Sequence, residues 1–102
     1  MKYSDKVYEL DEIKEKLSPI FHEYDITKAT AFGSYAKGNT VPYDDLDLVI
    51  TREAPLGLQD YYQFVKKLHQ ALHIKIDITF EEYINPFIED DLKQCSAVIY
   101  EK

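Results

Sequence analysis

Three carboxylates interrupt otherwise apolar runs: Asp45 and Asp47 in the segment DDLDLVI, and Asp77 in IKIDITF. In an extended chain, residues two apart project from the same face with Cα atoms about 6.5–7 Å apart, so Asp45 and Asp47 form a pair. If the strand carrying Asp77 lies beside theirs, the pair becomes a trio. Three such charges repel one another unless protons or cations neutralise them. Oxygen-only donors in this number suit Mg²⁺ or Mn²⁺, and two such ions roughly 3.5–4 Å apart activate an attacking oxygen and stabilise a departing one. Upstream, Phe32, Gly33 and Ser34 stand where a strand gives way to a turn or short helix. Glycine admits a ligand close to the backbone, the serine adds a hydroxyl, and free N–H groups at such a turn attract anions. A phosphate chain spanning Ser34 and the cations would use both halves of this arrangement.

The elements that must hold these residues are legible from hydrophobic spacing. Leu10, Ile13, Leu17, Ile20 or Phe21, and Tyr24 recur at helical intervals, with Asp11, Glu12, Lys14, Glu15 and Lys16 facing water. Pro19 predicts a kink there, or a restart with Ser18 as N-cap and the proline at the first helical position. Residues 28–32 read as a short strand and 33–43 as a turn-rich segment. Residues 45–51 are the clearest strand, with Leu46, Leu48 and Ile50 on one face and Asp45, Asp47 and Val49 on the other. After Pro55 and Gly57, the positions Leu58, Tyr61 or Tyr62, Val65, Leu68 and Leu72 mark a second long helix. Over 75–80 the period returns to two, with Ile74, Ile76 and Ile78 opposite Lys75, Asp77 and Thr79. Asn85 and Pro86 form an N-cap and first-turn proline for a helix carrying Phe87, Ile88 and Leu92, and 97–100 is the last strand. This order predicts an α/β (α+β) fold, a small mixed β-sheet flanked by helices, as one domain over residues 1–102.

At 102 residues the chain has material for one core, and its 19 acidic residues against 12 basic ones argue against a protein that grips nucleic acid through phosphates. A lone cysteine, Cys95, excludes a disulfide framework and a Cys-rich zinc site, which fits a reducing cytoplasm. The N-terminal run MKYSDKVYELDEIKEKL lacks the apolar stretch of a signal peptide, and nothing approaches the roughly 20 apolar residues of a membrane span. A soluble, cytoplasmic protein with neither membrane nor direct nucleic-acid contact is expected. His69 and His73 are spaced to share a metal but have no third ligand, so with His22 they read as helix histidines. Tyr61 and Tyr62 read as core and rim, and Glu89, Asp90, Asp91, Lys66 and Lys67 as solvated helix faces.

Rival motifs fail on the same residues. An EF-hand starting at Asp45 needs an oxygen ligand at Val49, glycine at Ile50 and glutamate at Leu56. The stretch GSYAKGNT approaches a P-loop but has Asn39 in place of its lysine. A haloacid dehalogenase-like motif would have its apolar strand before the first aspartate, whereas here it follows.

The run AFGSYAKGNTVPYDDLDLVI, followed by KIDIT, resembles the minimal nucleotidyltransferases of the DNA polymerase β-like superfamily. Their signature is an apolar residue and Gly-Ser, about ten residues, Asp-x-Asp in a strand, and a third aspartate on a later strand. Phe32, Gly33, Ser34, Asp45, Asp47 and Asp77 fill these positions, and the likeness covers nearly the whole chain. It implies nucleotide binding through Gly33 and Ser34, metal ligation by Asp45 and Asp47, and a metal-supporting, nucleophile-activating role for Asp77. Lys37 stands where the family usually has arginine, which keeps the charge and loses the bidentate fork. Lacking the extra domain that larger relatives use to hold an antibiotic, a tRNA or a primer, the chain is most similar to stand-alone MNT antitoxins. These silence HEPN ribonuclease toxins by transferring AMP from ATP to a toxin tyrosine. The resemblance thus implies two Mg²⁺ ions, ATP as substrate, a HEPN-type toxin as partner and a homo- or hetero-oligomer. The competing readings are an inactive antitoxin that binds its toxin sterically, and transfer to a small molecule.

Overall fold

The computed structural model describes residues 3–102. The first helix, α1 (Leu10–Glu23), opens with a capping box in which the Glu9 side chain accepts from the third helical N–H and Glu12 accepts from the Glu9 N–H at 3.2 Å. Pro19 neither ends nor restarts it. Proline removes the N–H that would bond the Glu15 carbonyl, but Pro19 and Glu15 both lie on the exposed side, where the freed oxygen is open to solvent. Meanwhile Ile13, Leu17 and Phe21, one turn apart and fully buried, anchor both halves to the same core. Ser18 is therefore not an N-cap; its hydroxyl donates back to the Lys14 carbonyl.

Strand β1 (Ile26–Phe32) starts two residues before its predicted position, because Ile26 is buried and pairs with Arg52 across a bulge. The turn-rich stretch contains a one-turn helix, α2 (Ser34–Lys37). Strand β2 (Leu46–Arg52), helix α3 (Leu58–Leu72) and strand β3 (Ile76–Phe80) follow. A 3₁₀ turn, Glu81–Tyr83, leads to α4 (Pro86–Gln94), where Asn85 accepts from the Ile88 N–H at 2.9 Å as an N-cap should, and then to β4 (Ser96–Glu101).

The mixed sheet has the order β3-β2-β1-β4, with β2 and β3 parallel and the other neighbours antiparallel. α1 and α3 cover one face, where Leu46, Leu48, Ile50, Ala29, Ala31 and Ile99 meet Ile13, Leu17, Phe21, Phe64, Leu68 and Leu72. Phe21 sits against Phe64 and Tyr100 at ring separations of 6.2 and 5.3 Å. Lys67, expected to be merely solvated, ties α3 to α1 by bonding Glu23 at 2.5 and 2.9 Å. Tyr61 packs on Phe80 while Tyr62 is exposed, matching the core-and-rim reading. Among the described residues, no helix is long and apolar enough to cross a membrane.

Because the helix around Pro19 is held by its buried face alone, Pro19→Ala should stabilise the protein. Restoring the hydrogen bond and helical propensity favours alanine by up to about 3 kcal/mol, offset in part by the freer unfolded chain. Denaturant unfolding should show a higher midpoint at unchanged slope; a lower midpoint would mean that the proline ring contributes packing.

Candidate active site

The site occupies the sheet face opposite the core. Alternation along β2 sends Leu46, Leu48 and Ile50 into the core and Asp47 out of the other side. The parallel register sets Asp47 directly opposite Asp77. It is pinned at both ends. At the start, the Leu46 N–H donates to the Lys75 carbonyl at 2.9 Å. At the end, Thr51 donates to Glu81 at 3.1 Å, and Arg52 pairs with Glu82 at 2.6 Å while lying 3.6 Å over the Phe80 ring. Asp45 precedes β2 by one residue rather than lying inside it, and half-buried it lines the same cavity as Asp47.

That cavity, about 320 Å³, is lined by Ser34, Tyr43, Asp44, Asp45 and Asp47. Gly33, next to Ser34, takes a conformation that only glycine adopts readily, with φ 73° and ψ −147°. A Cβ there would lie 2.7 Å from Asp47 Oδ2, so the absence of a side chain is what lets the carboxylate sit against the chain. Lys37 lies elsewhere, on a separate cavity of about 310 Å³ shared with Tyr8, Glu9, Tyr35 and Thr40.

Partial burial, then the charges of Asp77, Asp45 and Asp91, push the Asp47 carboxyl up to about 6 against the pull of Lys75. Asp77 is raised as well, by desolvation and by Asp45. Lys75, whose ammonium stands 3.5 Å from Asp45, is held protonated by Asp45 and Asp77. The trio is aligned but not closed, for among the described residues no three His, Cys, Asp or Glu side chains converge at metal-ligand distance. In kind, the donors fit a hard cation: they are all oxygen, their charges repel one another, and a lysine ammonium is already drawn to them.

Two contributors escape the sequence reading. The alternation makes Lys75 only the polar neighbour of Ile74 and Ile76, although it lies two residues before Asp77. Asp91, grouped with a solvated acidic run, is half-buried while Glu89 and Asp90 are exposed. The signal was its spacing, three residues after Ile88 and adjacent to Leu92, both half-buried on α4.

Comparison with known proteins shows the family and the fold. The sequence model of the nucleotidyltransferase domain family matches residues 10–99, and the chain belongs to that family. A relative in Methanocaldococcus jannaschii, named "Putative protein adenylyltransferase MJ0435", is 27% identical over 81 residues, 79% of this chain and 87% of its own length. A solved structure described as a minimal nucleotidyltransferase superposes with a TM-score of 0.71 at 22% identity, over 88% of this chain and 95% of its own. A toxin–antitoxin structure with AMP-PNP gives 0.72 at 15% identity, covering 87% and 73% of the two chains. A tri-AMPylated Shewanella oneidensis HEPN toxin in complex with MNT antitoxin gives 0.67 at 14%, covering 91% and 73%. The fold is that of the minimal nucleotidyltransferases, and the protein is a nucleotidyltransferase.

Gly33→Ala should cost about 1–3 kcal/mol, since the new Cβ meets both an unfavourable φ and the Asp47 carboxylate. Thermal unfolding that matched the unsubstituted protein would show that the backbone relaxes there without cost. The raised Asp47 group predicts a pH dependence with a definite sign. The unfolded chain ionises this group near 3.8 and the folded one near 6, so between these values the native state holds the extra proton and loses stability as pH rises. In EDTA, Asp47→Asn should therefore melt higher than wild type at neutral pH, with the advantage shrinking through this window and vanishing below it. A pH-independent difference would contradict this account.

Proposed function

We propose that this nucleotidyltransferase moves AMP from ATP to a tyrosine hydroxyl of a HEPN-type ribonuclease toxin, and so acts as its antitoxin in the cytoplasm. The observation that carries the proposal is the register match of Asp47 with Asp77, where Asp47 lines a cavity that Ser34 and Asp45 also line. The adenylyltransferase name of the archaeal relative and the AMPylated toxin bound by a similar MNT fold support the acceptor class. With a net charge of −7, the chain also complements a basic, RNA-binding partner.

In this reading Ser34 and the backbone beside Gly33 orient the β- and γ-phosphates. Asp77, the most exposed of the three aspartates, receives the proton of the attacking hydroxyl. The hydroxyl oxygen bonds to the α-phosphorus, the bond from that phosphorus to the bridging β-oxygen breaks, and pyrophosphate leaves with the electron pair. Two Mg²⁺ ions, or Mn²⁺, held by Asp45, Asp47 and Asp77, would supply acidity to the acceptor and neutralise the leaving group. Asp45 and Asp47 also exclude an unaccompanied triphosphate, whose charge they repel. Lys37 faces the neighbouring cavity and has no assigned role on the triphosphate.

Incubated with a cognate helical toxin, ATP and Mg²⁺, the protein should add discrete AMP increments to a toxin tyrosine, and the toxin should stay inactive after the two are separated. Asp45→Asn and EDTA should each abolish the increments. Full inhibition of an unmodified toxin, by the variant as well as by wild type, would replace this proposal with steric antitoxin binding.

A further inference from the structure

The residue at the mouth of the cavity is held in a conformation that its type does not favour. Among the described residues three non-glycines have positive φ: Asp25, Tyr43 and His73. Asp25 and His73 follow the ends of α1 and α3, where a left-handed residue commonly terminates a helix. Tyr43 terminates no helix. It sits third in the turn Val41–Pro42–Tyr43–Asp44, closed by the Asp44 N–H donating to the Val41 carbonyl at 3.1 Å. With proline second and φ 70° third, this is the type II pattern, which calls for glycine or asparagine where the tyrosine stands. The Asp44 carboxylate locks the turn by accepting from the Val41 N–H at 3.1 Å. Strain of this kind persists where the surroundings over-determine it, and it clusters at ligand sites.

The tyrosine does not offset the strain by packing, since its surface is 68% exposed. It does line the cavity, where its four companions are Ser34, Asp44, Asp45 and Asp47. A nucleoside triphosphate needs two kinds of surface: polar groups and cations for its phosphates, and a flat apolar face for its base. Ser34 and the aspartates offer only the first. Among the described residues Tyr43 is the sole aromatic ring on the cavity wall, and a tyrosine ring gives a rigid π-face at little entropic cost. A protein acceptor brings its own folded surface, so the group left without a partner is the base.

We propose that Tyr43 is the base-stacking platform of this enzyme, presented by a strained type II turn; the inference rests on the nucleotidyl-transfer reading above. Calorimetric titration with ATP and with inorganic tripolyphosphate, both with Mg²⁺, separates base from phosphate. Wild type should bind ATP more tightly than tripolyphosphate. Tyr43→Ala should lose roughly 5- to 100-fold in ATP affinity with tripolyphosphate unchanged, and Tyr43→Phe should keep wild-type values for both. Tyr43→Gly should lose ATP affinity likewise while melting at a higher temperature, because glycine relieves the turn; a merely structural tyrosine would not separate these two readouts. Equal ATP affinity in wild type and Tyr43→Ala overturns the platform and leaves the transfer reading standing, as does an equal loss for both ligands. A fall in AMP transfer at unchanged ATP affinity also overturns it and moves the ring to the acceptor. Wild type that binds neither ligand overturns both readings.

Discussion

The parallel register of β2 on β3 is the constraint on which the rest of the structure depends. It sets two carboxylates, Asp47 and Asp77, directly across from each other, an arrangement that opposes folding wherever both are ionised. What holds it is the reverse face of the same two strands. Leu46, Leu48 and Ile50 are wholly buried there, and burial of each such side chain contributes about 1.5–3 kcal/mol, against roughly 0.2–1 kcal/mol for a like-charged cross-strand pair. A slip of one residue would turn Asp47 into the core and the leucines out to water, so the core enforces the carboxylate alignment. The Thr51–Glu81 and Arg52–Glu82 contacts then close the far end.

Charge accumulates around this pair without full compensation. Asp45 and Asp91 add to the field, and Lys75 is the cation whose pull on Asp47 opposes it. An ammonium on a flexible, exposed stem is a weak counter-charge. Burial and this surplus of negative potential together raise the Asp47 and Asp77 groups, and oxygen donors so charged are of the kind that suits a hard cation. Stability is given up locally, and the chemistry of the site uses what the core tolerates.

Backbone conformation supplies what side chains cannot. Gly33 combines a positive φ with the missing Cβ that Asp47 requires, which lets the glycine–serine turn sit close against the carboxylate strand. Cys95, which donates to the Ala36 carbonyl at 3.2 Å, connects the far end of α4 to the same short helix. The glycine–serine turn is therefore braced from β2 on one side and from the α4–β4 junction on the other, which fixes Ser34 relative to the aspartates.

Much of this was written locally. The alternation around Asp45, Asp47 and Asp77, the helical spacing of α1 and α3, and the Asn85-Pro86 cap depend on neighbours in the chain, and each was legible by period or by capping chemistry. So was the Gly-Ser turn with its spacing to Asp47, which carried the family resemblance. Other features depend on partners far away in sequence. Local propensity makes Pro19 a break, but the buried row Ile13, Leu17 and Phe21 overrides it. Ile26 joins β1 because Arg52 and the core are there to receive it. Whether Asp77 meets Asp47, whether Asp91 turns toward them, and whether Lys75 rather than Lys37 stands beside the carboxylates are decided by strand order and helix rotation. A linear pattern states which face a residue occupies and not what lies across from it, so only the tertiary structure brings these charges together.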